Sequence, residues 1–273
     1  SSIVDGPAGF WNDGVAPGEV QAAQTFNRGM LEVVEGGRAR DLDGVEHAGV
    51  DVGLRQGLWQ FIQGTARENG LERTWFVDER SDPEKATRAA AMYLKSLADM
   101  FDGDWNLALA SYNAGPGRVQ RAIRLSKTTD YWKMTASTRY LPRETREYVP
   151  MILAAIIIAR NPDLYGFDVG PASPVAFETV TVPDALDLKY LAEWAGVSVS
   201  QIEALNPDLR RTTTPSSAHA LKVPMGTAAA IESGLTDADP SLYSTFKFHT
   251  VKRGETVASI ARDFKVTTAN LRQ

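Results

Sequence analysis

Apolar residues recur every three or four positions through the middle of the chain, and this spacing predicts an all-helical region over 57–165. The start of the clearest helix can be capped by Asp82 or Ser81, with Pro83 in its first turn. Asp104 can cap a shorter helix, which a run of Gly and Pro ends. The spacing predicts helices over 84–101, 105–112, 118–125 and 144–160.

A different pattern follows a Gly-Pro-Ala-Ser-Pro stretch, which predicts a linker. Beyond the linker, the apolar and polar positions that begin at Phe177 recur from Phe246, and each copy predicts a strand followed by two short helices. The first copy has a further predicted strand at 220–224. The second copy reaches Gln273 before any equivalent strand, so we expect it to be truncated. Polar residues over 233–245 predict a loop between the copies.

Residues 1–56 are rich in glycine and lack clear periodicity, which predicts an irregular segment. The net charge of −5 argues against a primary nucleic-acid-binding protein, which would show a basic stripe. The absence of cysteine excludes disulfides, thiolate catalysis and cysteine-ligated metal, and three scattered histidines do not indicate a metal site. The longest apolar stretch, 148–159, is shorter than the ~20 residues that span a bilayer. The first residues also lack the pattern of an export signal.

The second copy carries a turn motif, Phe-His-Thr-Val-Lys-Arg-Gly-Glu-Thr-Val-Ala-Ser-Ile-Ala at 248–261. Gly254 permits a turn after a strand, and Glu255 or Thr256 begins a helix. The motif closely resembles the LysM module, whose members bind N-acetylglucosamine-containing glycans beside the strand-to-helix loop. The resemblance assigns glycan binding to Gly254, Glu255 and Thr256. The plainer alternative is a small packed unit without a ligand, and the first copy, with Asp-Ala-Leu at 184–186, resembles a divergent LysM.

Four further motifs occur in order along the helical region. They are Gly-Leu-Trp-Gln-Phe at 57–61, Gly-Thr-Ala-Arg-Glu-Asn-Gly-Leu at 64–71, Phe-Asp-Gly-Asp-Trp at 101–105 with Ala-Ser-Tyr-Asn-Ala-Gly-Pro-Gly-Arg-Val at 110–119, and Leu-Pro-Arg-Glu-Thr-Arg-Glu-Tyr-Val-Pro at 141–150. Together they closely resemble the lytic murein transglycosylases of the type D subgroup. That subgroup joins a goose-lysozyme-like domain to LysM repeats. The implied fold class is α+β, mainly α: a lysozyme-like helical domain followed by two small βααβ LysM-type units, the second truncated.

The resemblance implies a reaction that needs one carboxylic acid and no cofactor or metal. In the family a Glu protonates the glycosidic oxygen, and the 6-hydroxyl of the same sugar captures the oxocarbenium-like centre. By motif, Trp59 and Gln60 would line the sugar subsites, Asn113 would bind substrate with Tyr112 as cleft wall, and Tyr148 would hold the catalytic Glu. Three of these side chains have a plainer alternative role: Trp59 and Tyr148 in packing and Asn113 in capping a helix end.

The catalytic Glu itself is the point where the chain departs from the family. The best local match is Leu-Glu-Val-Val-Glu-Gly-Gly at 31–37, which makes Glu35 the candidate. Glycine follows it where the family has serine, and Glu35 lies farther from Gly57 than the family spacing. Glu46 and Glu32 are the other glutamates considered. Two explanations stay open: an insertion that leaves Glu35 as the acid, or a segment 1–56 that is not the family's sequence.

The sequence thus predicts a peptidoglycan lytic transglycosylase whose partners are glycan strands rather than nucleic acid. The alternatives are an inactive peptidoglycan-binding protein, a lysozyme-type hydrolase and a structural adaptor. The expected location is the bacterial cell envelope or periplasm, with any membrane anchor in a segment absent here; the oligomeric state is left open. The predicted boundaries are 1–56 (irregular), 57–168 (lysozyme-like), 169–176 (linker), 177–226 (divergent LysM), 227–245 (linker) and 246–273 (LysM).

Overall fold

The computed structural model describes residues 55–168, 175–243, 249 and 251–268. The helices are α1 Gln63–Glu68, α2 Pro83–Met100, α3 Trp105–Ala114, α4 Pro116–Ser126, α5 Tyr131–Thr135, α6 Arg143–Arg160, α7 Leu188–Ala195, α8 Val199–Leu205, α9 Ala228–Asp237 and α10 Val257–Asp263. The strands are β1 Phe177–Val182 and β2 His219–Pro224, and short 3-10 turns lie at Glu79–Ser81, Pro162–Tyr165 and Pro240–Leu242. The protein is therefore mainly α with a small sheet, as the sequence predicts.

The long helices begin and end close to the predicted positions because their caps are local signals. Asp82 accepts hydrogen bonds from the backbone of Glu84 and Lys85, and Pro83 occupies the first position of α2. Asp104 caps α3 in the same way. The apolar face predicted for α2 is buried as expected, including Ala90 and Leu97.

Helix α3 lies at the centre of the helical region, packed against α2, α4 and α6. Its small side chains allow this close approach, since Ala108 and Ala110 are completely buried. Tyr131 and Met134 of α5 fill the core beneath α4 and α6. This packing fixes the ends of α3 and α6, which carry several of the predicted site residues.

The first repeat forms a compact unit around an antiparallel pair of strands, with Phe177 opposite Pro224 and Val182 opposite His219. Val180, Val182, Leu221 and Val223 point from the sheet into a core shared with α7, α8 and α9. A capping box between Ser198 and Gln201 begins α8. The strand, two short helices and return strand confirm the arrangement predicted for this copy.

The predicted loop over 233–245 is wrong for its first part, because α9 extends to Asp237. Ile231 of α9 is fully buried in the core of the first repeat unit. Gly234 has a low intrinsic helix propensity, but a side chain at this position would collide with the indole of Trp194. Tertiary packing therefore overrides the weak local propensity.

The second repeat is described at 249 and 251–268. Thr256 caps α10 through a capping box with Ser259, which confirms the predicted start of this helix. The predicted strand ahead of it lies largely outside the described residues. Within the part of the chain that the structure describes, no helix has the length and apolar content to cross a membrane.

Candidate active site

The Gly-Leu-Trp-Gln-Phe motif forms a tight turn whose ends pair as an isolated antiparallel bridge between Gln56 and Phe61. Gln60 adopts a positive φ of 54°, and its Nε2 donates to the Gly57 carbonyl at 2.8 Å. Gly57 has a φ of 69°, and a Cβ there would collide with the carbonyl oxygen of Arg80. The motif therefore requires glycine at its start, and this turn (57–60) is held closely against the segment that contains Arg80.

Two aromatic side chains fasten the turn to the helices beneath it. Trp59 Nε1 donates to Thr87 Oγ1 of α2 at 2.8 Å. The Tyr112 hydroxyl, from α3, donates to the Trp59 carbonyl oxygen at 2.9 Å, and the two rings meet edge to face at 6.5 Å. Their polar atoms therefore bond within the protein, and both rings are half-buried. A ring fixed in this way offers a preorganised surface.

Asn113 lies in the last turn of α3, facing the start of α6. Its Nδ2 donates to Glu144 Oε1 at 3.1 Å, and its Oδ1 accepts from the buried Thr145 Oγ1 at 2.8 Å. These two bonds fix which way the amide points. Glu144 and Thr145 fall within the Leu-Pro-Arg-Glu-Thr motif, yet sequence reasoning gave them no role. The sequence signal that could have indicated a role for them is their position in the same motif as Tyr148. Only the packing of α6 against α3 brings them to Asn113.

The guanidinium of Arg55 lies close to Glu144. The Arg55 Nη2 lies 3.7 Å from Glu144 Oε1. Burial raises the pKa of Tyr148 to about 12, while Arg55 lowers it and Glu144 raises it. Burial also raises the pKa of Tyr112, with a smaller contribution from Tyr148. Both phenols are neutral at physiological pH and can donate a hydrogen bond.

The structure thus brings together five predicted residues: Trp59, Gln60, Tyr112, Asn113 and Tyr148. Candidate Glu35 lies outside the described residues. Among the residues that the structure describes, no cluster of three His, Cys, Asp or Glu could hold a metal ion. The arrangement can bind a polar ligand and orient it through neutral hydrogen-bonding groups.

The predicted LysM residues form a second small cluster. Glu255 accepts a hydrogen bond from the Lys252 backbone at 2.6 Å and contacts His249 Nε2 at 2.8 Å. These contacts lower the pKa of Glu255, with the Lys252 backbone bond as the largest cause. Gly254 precedes it with a φ of 95°, which matches the turn expected there.

Family comparisons agree with this architecture. Residues 44–135 match the transglycosylase SLT domain, residues 176–239 match the LysM-like domain of lytic transglycosylase MltD, and residues 249–273 match the LysM domain. The chain belongs to the class of proteins that join a transglycosylase SLT domain to LysM-type domains.

Within that class the chain is similar to the membrane-bound lytic murein transglycosylase D of Escherichia coli K12. The two are 34% identical over 235 residues, which cover 80% of this chain and 50% of the relative. The chain is also 44% identical over 64 residues to the peptidoglycan transglycosylase gp16 of phage T7, covering 23% of this chain and 5% of the relative. These findings confirm the resemblance drawn from the motifs. The chain spans about half the length of the type D relative.

Proposed function

We propose that this chain is a peptidoglycan lytic transglycosylase. It cleaves the β-1,4 bond between N-acetylmuramic acid and N-acetylglucosamine and leaves 1,6-anhydro ends. The observation that carries the proposal is the Asn113 amide, which lies within the SLT match and is held by Glu144 and Thr145 of α6, the helix that also carries Tyr148. The LysM-type match at 249–273 supports the same glycan as the ligand.

The proposed reaction uses one glutamic acid twice. The acid protonates the glycosidic oxygen as the bond from that oxygen to the anomeric carbon breaks. The 6-hydroxyl oxygen of the N-acetylmuramic acid then bonds to the anomeric carbon, and its proton passes to the carboxylate. Because the nucleophile belongs to the substrate, no water and no second carboxylate are needed.

We assign the acid to Glu35 and its hydrogen-bonding partner to Tyr148. A phenol with a pKa of about 12 keeps its proton and can donate it to a carboxylate throughout the working pH range. Tyr148 is a positioning residue in this scheme, because it acts on the acid rather than on the sugar.

The remaining residues would bind the glycan. The Asn113 amide has a second N–H and a second lone pair beyond its bonds to Glu144 and Thr145, and we assign these to the substrate. Trp59 and Tyr112 would supply the cleft wall, and Gln60 would line the sugar subsites. In the LysM module, we assign glycan contact to Gly254, Glu255 and Thr256.

The location follows from the substrate. We propose that the protein works in the bacterial cell envelope, in agreement with the membrane-bound relative. The domain boundaries that the sequence predicts stay predictions, and the spans of the family matches are a separate finding.

The test incubates the full chain with purified sacculi and measures anhydromuropeptides by mass spectrometry. We expect release by the wild type, loss with Glu35→Gln and retention with Glu32→Gln, the matched glutamate in the same segment. Loss with Glu46→Gln alone would move the acid to Glu46, which lies within the SLT match. Sacculus binding without any product would instead favour an inactive binding protein, and reducing ends would indicate a hydrolase.

A further inference from the structure

The first LysM-like unit is docked on the helical domain through a short backbone pairing. The Asp78 amide donates to the Asp208 carbonyl at 2.8 Å, and the Arg210 amide donates to the Phe76 carbonyl at 2.7 Å. Val77 and Leu209 form an antiparallel bridge between these two bonds. Residues 74–80, here called the bracing segment, thus pair with the loop that precedes β2.

Charged side chains reinforce this docking. Arg210 Nη1 donates to the Thr74 carbonyl at 2.7 Å, and the Arg211 guanidinium lies 4.6 Å from the centre of the Trp75 ring. Lys222 Nζ of β2 lies 3.4 Å from Asp82 Oδ2 and 3.2 Å from Glu84 Oε2 at the start of α2. The Lys222 side chain is only 17% exposed, so its ion pairs are less screened than surface pairs.

The bracing segment contacts the substrate-binding turn on its other side. Arg80 is buried, and its Nε and Nη2 donate to the two carboxylate oxygens of Asp78 at 2.8 and 2.6 Å. Arg80 Nη1 donates to the Phe61 carbonyl at 3.1 Å, and the Arg80 carbonyl lies against Gly57. Both ends of the turn therefore rest on one residue.

The Asp78–Arg80 ion pair is suited to linking the LysM-like unit to the turn at 57–60. A bidentate carboxylate–guanidinium pair fixes both planes, and a buried cation cannot leave its partners without a large cost. Burial tends to raise the pKa of Asp78, but the bonds and charge of Arg80 outweigh it and hold the pKa below its ordinary value. The pair thus stays ionised, and Asp78 is the residue whose backbone bonds to the LysM-like unit.

We propose that Arg80 is a positioning residue for the substrate-binding turn and that the docked LysM-like unit braces it through the bracing segment. The proposal deepens the proposed function, on which its catalytic part rests. The first LysM-like unit is then a working part of the cleft rather than a separate tethered module. Removing the side-chain contacts of Arg210 and Lys222 with the helical domain should therefore loosen the turn through the bracing segment.

Hydrogen exchange of the full chain, measured by mass spectrometry, tests whether the docked LysM-like unit braces the turn. The double variant Arg210→Ala with Lys222→Met removes side-chain contacts of the docking surface and leaves the backbone intact. We expect peptides covering 74–80 and 56–61 to exchange about threefold to tenfold faster, as expected for losing one or two hydrogen bonds. The matched control is Lys189→Ala, which removes a cation paired with Asp187 inside the LysM-like unit and should leave both peptides unchanged.

Faster exchange at 74–80 with unchanged exchange at 56–61 would refute the bracing. So would unchanged exchange at both, since the docking would then not depend on these cations. A second variant, Arg80→Lys, keeps the charge but loses the bidentate geometry. It should accelerate exchange at 56–61 and leave 74–80 less affected.

Kinetics on sacculi test the positioning. The double variant should lower kcat/KM about threefold to tenfold, while Lys189→Ala keeps the wild-type value. An unchanged kcat/KM in a variant with accelerated exchange at 56–61 would overturn the positioning role. If no variant and no wild type releases anhydro products, the proposed function fails, and the exchange results still decide the bracing.

Discussion

Substituting Gly57 by alanine separates two costs that a glycine can carry. Gly57 has a φ of 69°, where an L-residue is strained, and a Cβ would also collide with the Arg80 carbonyl. Gly70 has a similar φ of 79°, but a Cβ there would meet no atom within 4 Å. Gly64 lies in α1 without a positive φ and has the same free space.

The expected magnitudes follow from these differences. Left-handed backbone costs an L-residue about 1–2 kcal/mol, so Gly70→Ala should lower the free energy of unfolding by ~1 kcal/mol. Gly57→Ala adds the displacement of a backbone that the buried Arg80 side chain holds in place. Overpacking of this kind costs about 1–3 kcal/mol, which brings the total to ~2–4 kcal/mol. Gly64→Ala should stabilise α1 by about 0.5–1 kcal/mol.

Urea unfolding of each variant and of the wild type, followed by tryptophan fluorescence, gives the free energies of unfolding by linear extrapolation. The order of stability should be Gly64→Ala, wild type, Gly70→Ala and Gly57→Ala. Equal losses for Gly57→Ala and Gly70→Ala would show that the collision does not exist in solution, and the account of the turn would be refuted. Gly57→Ala should also lower activity on sacculi, whereas Gly70→Ala should not.

Three further outcomes follow from the contacts. Thr145→Val removes the donor that orients the Asn113 amide and should lower kcat/KM on sacculi about threefold to tenfold. Thr135→Val, which removes a hydroxyl bonded to the Trp132 carbonyl within α5, is the matched control and should not lower it. Burial raises the pKa of Asp208, so the charged carboxylate lowers stability at pH values above its folded pKa, and this cost vanishes as the pH falls below the unfolded pKa. Asp208→Asn should therefore raise Tm at pH 8 but not near pH 4. An equal rise in Tm at both pH values would contradict this account. Thr256→Ala removes a capping box and should destabilise α10 by ~1 kcal/mol, seen as faster hydrogen exchange there, while Thr256→Ser keeps the cap.

The sequence motifs predict some residues of the candidate site and miss others. The motifs that occur together predict five site residues, and the structure gathers these around one turn and two helix ends: Trp59, Gln60, Tyr112, Asn113 and Tyr148. Glu144 and Thr145 lie within one of those motifs, yet the motif alone does not indicate their contact with Asn113. Their contact with Asn113 joins α3 to α6 across 31 and 32 residues, which no local pattern encodes.

The sequence by itself determined the four longer helices of the helical region, the caps of two of them and the order of the units. The reason is that caps and apolar periodicity act over three or four residues, as at Asp82 and Asp104.

Only the tertiary structure decided what holds the turn at 57–60 and what α9 packs against. Arg80 reaches Phe61 across 19 residues, and Arg210 reaches Thr74 across 136. Such contacts depend on how whole elements pack, so they become visible only when the helical domain and the LysM-like unit meet.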